Sequence, residues 1–106
     1  MSNQNLTDFI ATAQSVASQV EALHALLLDA ELRKRLQFPE IRASLLAALC
    51  ATRLSVNELN SSLAALRWSG DVTDAEIEEA GFPEIRAAIL DKLPAIKSFP
   101  LAVFGK

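Results

Sequence analysis

Apolar residues recur at steps of three and four through Leu6, Phe9, Ala13, Val16, Val20, Leu23 and Leu27. That spacing places them on one face of a long helix built to pack against another helix. Neither glycine nor proline interrupts the chain between Met1 and Phe38. At Leu28 the pattern shifts: Leu28, Leu32 and Leu36 continue at steps of four on a rotated face, so the helix either breaks near Asp29 or turns its apolar side. It must end before Pro39, whose ring drives Phe38 to extended backbone. Pro39 then suits the first position of a new helix, with Glu40 favouring its dipole.

That helix carries Ile41, Leu45, Leu46, Ala48 and Leu49 as its buried stripe, and the polar pair Thr52 and Arg53 marks where the stripe runs out. Ser55 and Glu58 form a capping box flanked by the staple pair Leu54 and Leu59, predicting a fresh helix start. This fourth segment turns Val56, Leu59, Leu63 and Leu66 inward and stops at Gly70, a left-handed cap. Thr73 and Glu76 repeat the box, with Val72 and Ile77 as staple, and Gly81 ends that short helix. Pro83 opens the last long helix, which buries Ile85, Ile89 and Leu93 and halts at Pro94.

The six residues Phe-Pro-Glu-Ile-Arg-Ala occur at 38–43 and again at 82–87. Around them, Asp29 onward aligns with Asp74 onward, so the pattern predicts an all-α, single-domain bundle of about six helices. It is made of two tandem helix, short-helix, helix units related by a pseudo-twofold: unit one about 5–53, unit two about 55–93, with an apolar tail at 94–106. In each corner Phe38 or Phe82 anchors the turn in the core, Pro39 or Pro83 fixes the helix start, and Ile41 or Ile85 begins the stripe. Arg42 and Arg86 lie two residues from Glu40 and Glu84 and do not face them on a helix. Glu31 and Glu76 in the short helices are the expected partners.

Pro-Glu-Ile-Arg ahead of an apolar helix is similar to the inner helix of HEAT-type repeats, and the spacing of about 44 residues falls within their period of about 40 to 47. The resemblance covers about a dozen residues per unit and implies a mode of packing only.

With 106 residues and 51% hydrophobic content, one core is affordable and a second is not. A net charge of −3 implies no general attraction to phosphate or anionic lipid, so neither a nucleic-acid nor a membrane partner is expected. Cys50 is the only cysteine, which excludes an internal disulfide and suits a reducing compartment. No basic segment precedes an apolar stretch at the start, so no secretory signal is expected and a cytoplasmic location is the default.

The copies differ most where Arg33, Lys34 and Arg35 of the first correspond to Glu78 and Glu79 of the second. Surfaces of opposite sign can meet across a pseudo-twofold, within the chain or between copies, which makes these five residues a candidate interaction surface. The long seam of the first helix, Phe9, Val16, Val20 and Leu23, is a candidate homodimer face. In the tail, Phe99, Leu101, Val103 and Phe104 are expected to lie in a groove of the body or of a neighbouring chain.

Chemistry is sparse. Glu21 and His24 form half of a carboxylate-bridged di-metal motif, but there is one histidine in the chain and the full site needs a second such pair. Cys50 ends an apolar stripe and reads as a small core residue rather than a nucleophile. There is no glycine-rich phosphate loop. The segment from Leu54 to Leu66 could begin a helix-turn-helix, but the following helix carries Asp74, Glu76, Glu78 and Glu79, which phosphate would repel. The sequence therefore predicts no catalytic residue, no metal and no cofactor. The expected function is a small interaction or assembly module with a protein partner. The alternatives are a helical carrier of an apolar small ligand and, third, a nucleic-acid-associated regulator.

Overall fold

The computed structural model describes residues 4–99 of the protein. Those residues form five helices and no strand: α1 (Gln4–Leu27), α2 (Ala30–Arg35), α3 (Pro39–Ser69), α4 (Asp74–Glu79) and α5 (Phe82–Lys97). Two six-residue helices, α2 and α4, turn the corners between three long ones. The body is a rod of 54 × 19 × 18 Å. α1 packs against both α3 and α5 along its length, whereas the backbones of α3 and α5 hardly approach one another.

The expected seam of α1 is the core. Phe9, Ala13, Val16, Val20, Leu23 and Leu27 are all buried, facing Leu45, Leu49, Thr52, Val56, Leu59 and Leu63 of α3. Both stripes step by four and three, the repeat of helices packed along a shared axis. From the α5 side, Phe82, Ile89, Leu93 and Ile96 complete the core. The ring of Phe82 meets that of Phe9 at 5.0 Å between centroids, tilted by 54°, within the range of favourable aromatic pairs.

Five helices replace the six expected, because α3 runs unbroken through Thr52, Arg53 and Ser55. No glycine or proline lies between Pro39 and Gly70, and interrupting α3 would forfeit several ladder hydrogen bonds beside a continuous α1 seam. Thr52 does not end the stripe; it sits in it, 2% exposed. Its hydroxyl donates to the Ala48 carbonyl at 2.8 Å and accepts from Gln19 Nε2 of α1 at 3.4 Å, so its burial leaves no polar group unmet. The boundary between units at 53–55 thus falls inside one helix.

Elsewhere the local signals hold or shift by a turn. α1 ends at Leu27, and Asp29 caps α2 by accepting the Glu31 amide at 2.9 Å. In the second copy Thr73 makes the complete capping box with Glu76, while Val72 and Ile77 are buried beside it. Gly70 and Gly81 take left-handed backbone, φ 74° and 90°, which only glycine adopts without penalty. α5 does not halt at Pro94 but continues to Lys97. Proline forfeits one ladder bond there, yet the extra turn buries Ile96 completely and lets the Ser98 amide reach the Pro94 carbonyl at 3.0 Å. Of the tail, Phe99 packs half-buried against the core; Leu101, Val103 and Phe104 lie outside the described residues.

Cap chemistry separates a continuous α3 from a broken one. Thr73→Ala should cost about 1 kcal/mol in urea unfolding, the usual value of an N-cap. Ser55→Ala should be neutral or stabilising by a few tenths of a kcal/mol, as expected in a helix interior. Equal losses at the two positions would show that α3 breaks at Ser55.

Candidate functional site

The two Phe-Pro-Glu-Ile-Arg-Ala corners both follow a six-residue helix and both open a long one, but their surroundings differ. Phe82 is 5% exposed, whereas Phe38 is 49% exposed and so does not anchor its corner in the core. That place is taken by Leu36, which is fully buried. The extra residue in the first turn rotates the phenylalanine outward and the preceding leucine inward. Ile41 and Ile85 are half-buried against the core in both copies, and Pro39 and Pro83 occupy the first turns of α3 and α5.

The arginines diverge as well. Arg42 Nη1 donates to the Leu36 and Gln37 carbonyls at 2.9 and 3.0 Å, closing the end of α2 in place of the expected pairing with Glu31. That glutamate instead meets Lys34 at 3.5 Å. In the second copy Gly81 makes the turn, Glu76 belongs to its capping box, and the Arg86 side chain has no hydrogen bond or ion pair among the described residues, the residue being exposed.

Arg33, Lys34 and Arg35 occupy the last turn of α2, and Glu78 and Glu79 the last turns of α4. All five are exposed, but the 31 residues of α3, about 46 Å of helix, separate the two clusters. They do not meet within one chain. Arg33 Nε also reaches the Leu27 carbonyl at 3.4 Å, tying it to the end of α1. The proposed dimer seam lies inside the folded chain: Phe9, Val16, Val20 and Leu23 are each 5% exposed or less, covered by α3 and α5, and present no face to a second copy. Cys50, expected in the core, is exposed, because it lies on the side of α3 away from its stripe. His24 is half-buried beside the seam. No group of three potential metal ligands occurs among the described residues, and none of their helices is long and apolar enough to cross a membrane.

The arrangement that sequence reasoning missed is a groove of about 300 Å³ between α3 and α5. It exists because α1 holds these two helices without their packing directly on each other. Its floor is core, chiefly Val56, Leu59, Ile89 and Leu93; its rims are Arg53, Asn57 and Asn60 on α3 and Arg86, Leu90 and Lys97 on α5. Arg53 Nη2 donates to the Lys97 carbonyl at 3.1 Å across one end. Three cations thus line the groove, and among the described residues no carboxylate does. On the opposite side, the shallower α1/α3 cleft is edged by small hydroxyl side chains, Gln19 and Glu58. The signal for the groove was available in the spacing of Arg86, Leu90 and Lys97, which share one face of α5 but lie outside its apolar stripe.

No protein family, curated protein or solved structure matches the chain.

The asymmetry of the corners is measurable. Phe82→Ala should destabilise by about 3 to 5 kcal/mol, as for a core aromatic, whereas Phe38→Ala should cost about 1 kcal/mol or less. Comparable losses in chemical denaturation would mean that both phenylalanines anchor equivalent corners.

Proposed function

We propose that the protein is a small non-catalytic helical module for protein–protein interaction or assembly, docking its partner on the face formed by α3 and α5. The observation that carries this reading is Trp68, the only tryptophan, which stands 93% exposed near the end of α3. A tryptophan so displayed forgoes the burial that its large apolar surface favours, and tryptophan is prominent among residues that anchor interfaces. Trp68 follows Asn57 by three helical turns and lies on the same side of α3. Leu54 and Leu90, 58% and 50% exposed, extend the apolar part of this face.

Under this reading the two corners descend from one duplicated unit, the second buried to hold α5 and the first left open at the rod's far end. The charged clusters of α2 and α4 serve contacts between chains, including a homodimer, rather than within one. A cytoplasmic setting fits the lone exposed thiol of Cys50. The groove volume, about 300 Å³, at the lower end of small-molecule sites, favours a second reading as a carrier of a compact amphiphile. Native mass spectrometry would show that as co-purifying mass.

A photo-crosslinking residue placed at position 68 or 90 should trap the same partner in the native host, and one at position 58, across α3, should not. Trp68→Ala should leave stability within about 0.5 kcal/mol while weakening partner binding tenfold or more. Equal capture from both sides of α3, or unchanged binding by the Trp68 variant, would remove the reading.

A further inference from the structure

We infer that the α3/α5 groove takes an amphipathic helix bearing acidic residues, which lies between α3 and α5 as the fourth member of a bundle. This rests on the interaction reading above and names the partner's chemistry. Three observations converge on it. First, the groove is bounded by two long helices whose core side is already covered by α1, so what its mouth offers is a cleft between parallel-sided helices, the shape that receives a helix. Second, its charge is one-signed within an acidic chain: Arg53 and Lys97 stand at one end and Arg86 at the other. Arg86 precedes Lys97 by eleven residues on α5, about 16 Å or three helical turns. A ligand helix with carboxylates three turns apart on one face matches that separation. Third, the cations are available: neither Arg86 nor Lys97 forms an ion pair among the described residues. Arg53 gives one guanidinium nitrogen to the Lys97 carbonyl and keeps other donors.

The middle of the groove suits the same ligand. Leu90 is half-exposed on one rim, so a leucine of the incoming helix would meet an apolar side chain between the charged ends. Asn57 and Asn60 offer hydrogen bonds on the other rim. A nucleic acid fits less well. Beyond Arg86 the cleft runs into α4, where Asp74 is paired with Arg67 and Glu78 is left as the acid; a continuous phosphate backbone would meet that carboxylate, whereas a helix can place an uncharged or basic residue there.

The test uses the full chain and a capped peptide of about 18 residues, roughly 27 Å as a helix, with leucines at every third and fourth position and glutamates three turns apart. A twin carries lysine for glutamate, and a single-stranded oligothymidylate serves as a third probe. Trp68 fluorescence and titration calorimetry at low salt report binding. The expected result is that the glutamate peptide binds about tenfold or more tightly than its twin and weakens as salt rises. Arg86→Glu and Lys97→Glu should each weaken it severalfold, and Glu58→Lys on the opposite side should not. The Arg86 side chain makes no hydrogen bond or ion pair among the described residues, so Arg86→Gln, which adds no acid beside Glu78, should keep the wild-type unfolding midpoint and still weaken the glutamate peptide. Equal affinity for the two peptides, indifference to Arg86→Glu, or tighter binding of the oligothymidylate would overturn the inference. If the peptide fails while crosslinking at position 68 still traps a partner, the acidic-helix assignment falls alone; if both fail, the interaction reading falls with it.

Discussion

Everything in this fold depends on the apolar stripe of α1. Its buried residues face α3 on one flank and α5 on the other, and those two helices have little direct contact. A core organised around one central helix differs from a symmetric bundle in which each helix touches two neighbours. Here the loss of α1 packing would release both partners together. The same geometry leaves an open seam on the far side, so the groove is a consequence of how the core is covered rather than an addition to it.

Unequal helix lengths extend that logic. α5 has 16 residues where α1 has 24 and α3 has 31, so among the described residues the α2 end of the rod is spanned by two long helices, α1 and α3. Leu26 of α1, Leu28 just after it, Phe38 at the cap of α3 and Leu46 within α3 are exposed there, and the first part of α3 is apolar nearly all round. A helix apolar on several sides normally lies within a larger core. The short helices close the rod ends by different chemistry: Arg42 satisfies the last carbonyls beside α2, while a left-handed Gly81 makes the equivalent turn beside α4.

Much of this was legible from spacing. The α1 seam, the cap at Thr73, the glycines at 70 and 81 and both proline-led helix starts follow from local rules that act within a few residues. The unbroken α3 was not legible, because a capping box is a permissive signal. Ser55 and Glu58 could cap a helix, but only if the chain gained by stopping, and the neighbouring α1 seam rewards continuing. Cys50 and Phe38 misled for a related reason. Cys50 is apolar within an apolar run and Phe38 is apolar at a turn, and only the rotation set by more distant packing decides which such residues turn inward. Phe38 was further displaced by one extra residue in its turn, which exchanged its place with Leu36.

The groove was hidden for a different reason, since charge segregation in three dimensions is not charge segregation along the chain. Arg53, Arg86 and Lys97 are scattered in sequence among enough acids to give a net charge of −3. Glu58 turns to the opposite side of α3, away from this face, while Asp74 is held by Arg67 at 3.0 Å beyond the groove's end. Neutralising Asp74 there limits how far the acidity of α4 reaches into the groove. Arg53 holds the Lys97 carbonyl and Lys97 complements the C-terminal end of α5, but Arg86 has no such partner among the described residues. On the proposed reading, the charge of Arg86, on a face that also carries the one tryptophan, serves what docks there rather than what holds the chain together.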